Sequence, residues 1–100
     1  MKHTPWPNTL AGCRALEAVM KERDAQNAKW GEQNHEPEIW MAILTEEVGE
    51  LAQAMLHRRF GGPAGAHILT EAVQVAAVGL ALVECCERNG WMHPPDKGGE

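Results

Sequence analysis

From Ala72 to Val83 the chain runs for twelve residues with Gln74 alone interrupting an otherwise apolar sequence. That run is too short for a bilayer, which needs about 17–25 residues, and it reads as a helix buried inside a soluble protein with no membrane partner. A helix apolar on every side has to be covered on every side. The rest of the chain has limited means to do so: of its 100 residues 5% are aromatic, with Tyr absent and Phe present once. Ala, Leu, Glu and Met are plentiful in the central region, and no stretch alternates with period two for long, so the chain reads as all-α. A hundred residues correspond to a single domain, 1–100, and a chain of this size buries only about 60–70% of its unfolded surface. Much of the cover must come from another copy. The expectation is a helical hairpin plus an N-terminal helix that assembles into a four-helix-type bundle as a homodimer or homotetramer.

The punctuation of the sequence divides it into three helices. Asn8 or Thr9 caps a first helix from about Leu10 to Ala28, with a stripe of Leu10, Cys13, Leu16, Val19 and Met20, and Gly31 ends it. Trp30 to Glu36 (WGEQNHE) reads as a polar loop. Pro37 suits the first position of a second helix, where its missing N–H costs nothing, and that helix runs to about Arg59. The breakers in Phe60–Gly65 (FGGPAG) make a turn, and a third helix follows from about His67 to Arg88, stopped by Asn89-Gly90. The short connection makes helices two and three an antiparallel hairpin. On helix two, Trp40, Leu44, Val48, Leu51 and Met55 form one stripe, and Ala42, Thr45, Gly49, Ala52 and Leu56 a second, smaller one. The ordered helical part spans about 9–90, and 91–100 reads as a tail.

Charge and cysteine usage narrow the function. Nine Lys+Arg against 14 Asp+Glu give a net charge of −5, which argues against binding a nucleic acid polymer. A small anionic substrate stays open, because a bound cation reverses the local sign. Cys13, Cys85 and Cys86, two of them adjacent, form no disulfide framework and point to a reduced, cytoplasmic protein. The N-terminus, MKHTP, has no apolar stretch behind it and is not expected to be a signal peptide.

The informative residues are carboxylates that do not belong in a core. Glu46, Glu47 and Glu50 share one side of helix two, at spacings of three and four, and interrupt a face that also carries Ile39, Ile43 and Ala54. Glu71 and Gln74 sit three apart on helix three, on the face of Val75, Val78 and Leu82. Counted from the turn at 1.5 Å per residue, the two groups lie within about one turn of the same height, so they can face each other. Converging carboxylates repel and are costly to bury ionised. A hard divalent cation removes that cost. Mg²⁺ takes oxygen ligands and keeps waters and substrate phosphates in its shell, which is the chemistry of a phosphate-ester or anhydride hydrolase with a further carboxylate as general base. An EExxE on a helix is more often a solvated face; the second acidic pair at matching height, inside an apolar helix, is what weighs against that explanation here.

The string Leu44-Thr45-Glu46-Glu47-Val48-Gly49-Glu50-Leu51, followed after the Gly-rich turn by Glu71-Ala72-Val73-Gln74-Val75, resembles the MazG-like all-α nucleoside triphosphate pyrophosphohydrolases, whose pattern is ExxE, a spacer, then ExxD. The resemblance covers roughly residues 10–90, and the small phage-type members with a WGEQNH-like segment look closest, through Trp30 to His35. It implies hydrolysis of a canonical, deoxy or modified nucleoside triphosphate to the monophosphate and pyrophosphate, with Mg²⁺ and with Mn²⁺ as a substitute. By motif match it implies Glu47, Glu50 and Glu71 as metal ligands and Glu46 as the group that orients or deprotonates water. The family pattern has Asp where this chain has Gln74, a side chain that can ligate through its oxygen but brings no charge. The expectation at Gln74 is weaker Mg²⁺ binding, or a bond to a carboxylate ligand. The same substitution motivates an alternative, a helical dimerisation or nucleotide-binding module impaired in catalysis.

Other residues are weighed against plainer roles. Trp30 is a candidate for stacking on a nucleobase, though packing at a helix end is the commoner fate, and Asn34 is the other substrate-binding candidate. Gln33, Asn34 and His35 could read base edges; capping helix two is the simpler reading. Arg58 and Arg59 read as surface residues, and Trp6 and Trp91 as cover for core or partner surface. Glu32 to His35 is formally an ExxH, but a di-iron bundle needs two such motifs on helices, and this one precedes Pro37 in a loop. Cys85 and Cys86 have no CxxC or HxxxH companion for zinc and read as core filler. His57, His67 and His93 have no convincing partners.

Overall fold

The computed structural model describes residues 4–91. Three α-helices, α1 (Leu10–Trp30), α2 (Pro37–Phe60) and α3 (Ile68–Asn89), are joined by a polar loop and by a turn that contains a short 3₁₀ segment, Pro63–Ala66. No strand occurs among the described residues, and the all-α class holds. Residues 92–100, with His93 and most of the expected tail, lie outside the described residues.

The helix ends form for the expected chemical reasons. Thr9 is the N-cap of α1, its Oγ1 accepting from the Gly12 N–H at 2.9 Å. Gly31, at φ 71°, closes α1 with its N–H on the Asn27 carbonyl at 2.8 Å. Pro37 opens α2, whose last turn carries His57, Arg58 and Arg59 toward the negative end of the helix dipole. Gly90 takes the left-handed conformation that ends α3, and the Trp91 N–H bonds the Cys86 carbonyl at 2.8 Å. The cap of α2 differs from expectation. Glu36 stands at the N-cap with no side-chain capping bond, and the Asn34 side chain bonds Glu32, Arg88 and Asn89 instead.

The hairpin turn depends on a glycine. Gly62 sits at φ 142° directly over the His57 ring, and a Cβ there would stand 2.4 Å from the ring carbon Cγ. His57 has a partner after all: its Nδ1 accepts from the Ala64 N–H at 3.1 Å, tying the last turn of α2 to the turn that follows.

α3 is the central helix. α2 packs against one flank and α1 against another, while the backbones of α1 and α2 do not approach each other. The core within one chain is correspondingly small. Trp40, Val78, Ala81 and Cys85 form it, with Ile43, Leu44 and Leu82 packed around, and Trp40 and Cys85 are its largest fully buried side chains. Much of the apolar patterning finds no cover within the chain. Leu10 and Met20 of the expected α1 stripe are exposed, as are Val48 and Met55 of the α2 stripe, and Leu69 is 75% exposed. The apolar run of α3 is not wholly buried either. Its buried residues are Ala77, Val78, Ala81 and Cys85, and Leu80 and Val83 face out. By length and composition α3 is long and apolar enough to cross a membrane: its most apolar 18 residues have a mean hydropathy of 1.7, and 22% of that stretch is buried within the chain. A second, almost wholly apolar groove of about 400 Å³ runs between α1 and α3, lined by residues such as Ala15, Val19, Leu69 and Val73.

Candidate metal centre and cleft

Glu47 and Glu50 stand one turn apart on the α3-facing side of α2, and Glu71 is in the first turn of α3. The hairpin brings them together: one carboxylate oxygen from each lies within 4.8 Å of the other two. Glu47 and Glu71 are half-buried and Glu50 is exposed. Glu47 Oε2 and Glu71 Oε2 are both buried without a hydrogen-bond partner. Buried acceptors left unpaired cost about 1–3 kcal/mol each. Burial above all, then Glu50 close beside it, then the charges of Glu71 and Glu46, push the Glu47 carboxyl above its usual value of 4.5. The orphaned oxygens and the raised pKa have one physical cause, namely negative charge gathered where water is scarce.

A hard cation fits this donor set. Oxygens held about 2.1 Å from one octahedral Mg²⁺ stand about 3.0 Å apart when cis and about 4.2 Å when trans, so three oxygens within 4.8 Å of one another are a side-chain adjustment away from sharing an ion. Carboxylate oxygens are the donors such ions prefer, and the buried orphans would gain the partner they lack.

Of the trio, Glu47 lines a cleft of about 290 Å³ between α1, α2 and α3, and Glu50 and Glu71 stand outside its lining. Glu22, Gln26 and Trp30 line it from α1, Trp40, Ile43, Glu46 and Glu47 from α2, Gln33 from the loop, and Gln74, Val78 and Ala81 from α3. Glu46 and Gln74 therefore reach the same space as Glu47. Trp30 is 55% exposed in the cleft wall, with Lys29 Nζ 4.6 Å from its ring centroid. Asn34 stands outside the lining. Its side chain accepts from Arg88 Nε and from Asn89 Nδ2, each at 3.0 Å, and donates to Glu32 at 2.8 Å. His35 packs its ring edge-on to Trp40, centroids 5.0 Å apart.

The sequence reading missed Glu22, Gln26 and Trp40 as cleft residues, and it favoured a capping role for Gln33, which lines the cleft. Glu22, Gln26 and Trp30 are spaced by four along α1, so they form one line on that helix, and Gln26 is a buried polar residue. That line was the available signal. Arg58 and Arg59 are exposed, as expected, and Cys85 fills the core beneath Trp40, with all three cysteines unpaired. Comparisons of the chain with protein-family models, with curated proteins and with solved structures found no match.

Proposed function

We propose that the protein is a Mg²⁺-dependent hydrolase that cleaves a nucleoside triphosphate to the monophosphate and pyrophosphate, working as a cytoplasmic homo-oligomer. The observation that carries this reading is the meeting of Glu47, Glu50 and Glu71 across the α2–α3 hairpin, with two buried oxygens lacking partners, at the side of a cleft. The resemblance of residues 44–51 and 71–75 to the MazG-like motif supports it. Glu47, Glu50 and Glu71 would hold the ion, which when bound neutralises phosphate oxygens and orients the polyphosphate. The chain's own residues do the rest. Glu46, exposed at the cleft beside Glu47, accepts the proton of the attacking water as its oxygen bonds to the α-phosphorus. The bond from that phosphorus to the bridging oxygen breaks, and pyrophosphate leaves with the electron pair. Trp30 offers a stacking face for the base, and the Gln26 and Gln33 amides stand in the same cleft wall to meet base edges.

The cleft of one chain, about 290 Å³, is at the small end for a ligand of this size. The uncovered apolar surface of α3 and α1 supports a second copy completing it.

A specific feature favours the alternative, a nucleotide-binding module impaired in catalysis: Gln74 reaches the cleft with a neutral amide where the resembling enzymes have a carboxylate. Pyrophosphate release from a panel of triphosphates with Mg²⁺ or Mn²⁺ separates the two. The expected result is turnover that Glu50→Gln abolishes without changing helicity, with Mg²⁺ affinity raised in Gln74→Asp. Retained nucleotide binding with no turnover establishes the alternative.

A further inference from the structure

α1 and α2 form opposite walls of the cleft, and their backbones do not approach each other. Their separation is set by what ties each to α3, and on the α1 side two charged contacts do this. Arg23 reaches Glu84 of α3 with a two-pronged grip, Nε to Oε2 at 2.7 Å and the second guanidinium nitrogen to Oε1 at 2.9 Å. Arg23 follows Glu22, which lines the cleft, and its side chain is only 15% exposed. One turn further along α3, Arg88 grips the loop that joins the two walls. It donates to the Gln33 carbonyl at 2.9 Å and to Asn34 Oδ1 at 3.0 Å, and it lies 3.5 Å from Glu32. Asn89 adds a bond to the same Asn34 oxygen at 3.0 Å, and Arg88 also lies 3.9 Å from Glu84, so the two grips share an anion.

Exposed ion pairs contribute little to stability. Planar, two-pronged arginine contacts contribute geometry instead. We propose that Arg23 and Arg88 are positioning residues. Through Glu84 and the loop 32–34 they fix the distance and angle of the Glu22, Gln26, Trp30 and Gln33 wall relative to the carboxylates on the hairpin. This rests on the proposed hydrolysis for its kinetic consequence but not for its structural one. The carboxylates stay in register through the hairpin turn, so loosening the clasp weakens substrate capture and leaves the chemical step intact.

The test uses the full chain with Arg88→Ala, Arg23→Ala, Arg88→Lys and, as control, Glu87→Ala, which makes no clasp contact. Expected for both alanine variants is a rise in KM for the triphosphate of about fivefold or more with kcat within about twofold. Lys, lacking the fork, does not rescue, and Glu87→Ala behaves as wild type. Hydrogen exchange is read on the same proteins whether or not they turn over substrate. In Arg88→Ala the amides of residues 26–36 exchange faster, and those at the α2–α3 turn do not change. If the wild type shows no turnover but this segment loosens selectively, the hydrolase reading fails and the clasp stands. An unmoved KM in an active enzyme, or exchange that is unchanged or uniformly faster, overturns the clasp.

Discussion

At the scale of single residues, Glu47 is the most informative group. Its carboxyl titrates higher in the folded chain than in the unfolded one, so the fold binds more protons across the intervening pH range. Stability attributable to this group is therefore fully present below the ordinary carboxylate value of 4.5 and is lost as pH rises through the higher folded value. Above the ordinary value the site is a liability in the metal-free protein. Glu47→Gln is expected to raise the melting temperature at pH 7 without added metal, with the advantage vanishing near pH 4, as thermal melts over that range will show. Mg²⁺ reverses the balance: it should stabilise the wild type, tighten as pH rises and Glu47 loses its proton, and leave Glu47→Gln unmoved. That carboxylates of the two helices converge was legible in the sequence because spacing on a helix and height in a hairpin are both countable, and the motif resemblance singled out Glu47, Glu50 and Glu71 among them. Trp40 was read only as part of an apolar stripe, since nothing in a periodicity says that a core tryptophan also walls a cleft.

At the scale of elements, the helix boundaries were readable to within two residues because Thr9, Gly31, Pro37 and Gly90 act through their own backbone chemistry. The packing faces were not. A helical wheel states which side is apolar but not which neighbour covers it, and Leu10, Met20, Val48 and Met55 are left uncovered within the chain. The turn between α2 and α3 matters more than its length suggests, because it sets the height at which Glu71 meets Glu47. A side chain at Gly62 meets the His57 ring and must also adopt φ 142°. Gly62→Ala is expected to cost about 2–3 kcal/mol, combining backbone strain with loss of the Ala64–His57 bond. Urea unfolding will measure it, and Mg²⁺ affinity should fall in the same variant.

At the scale of the whole molecule, the described chain is long for its mass. The radius of gyration is 16.7 Å, against about 13 Å for a compact domain of 100 residues. A core whose largest fully buried side chains are Trp40 and Cys85 leaves a wide scatter of exposed leucine, methionine and valine. Self-association is the expected outcome, with a mass of at least twice 11.0 kDa in sedimentation at micromolar concentration and a melting temperature that rises with protein concentration. A monomer at all concentrations would remove the second copy from the proposed site. The overall composition already pointed this way; which surfaces meet did not follow from it, because one sequence does not distinguish a face covered by itself from one covered by its twin.

The independence of α1 from α2 has an engineering consequence. α1 reaches the acidic hairpin only through α3, so under the proposed function chemistry and selectivity would be separable. Libraries confined to positions 22, 26, 30 and 33 could redirect which molecule is accepted while leaving the reaction centre untouched.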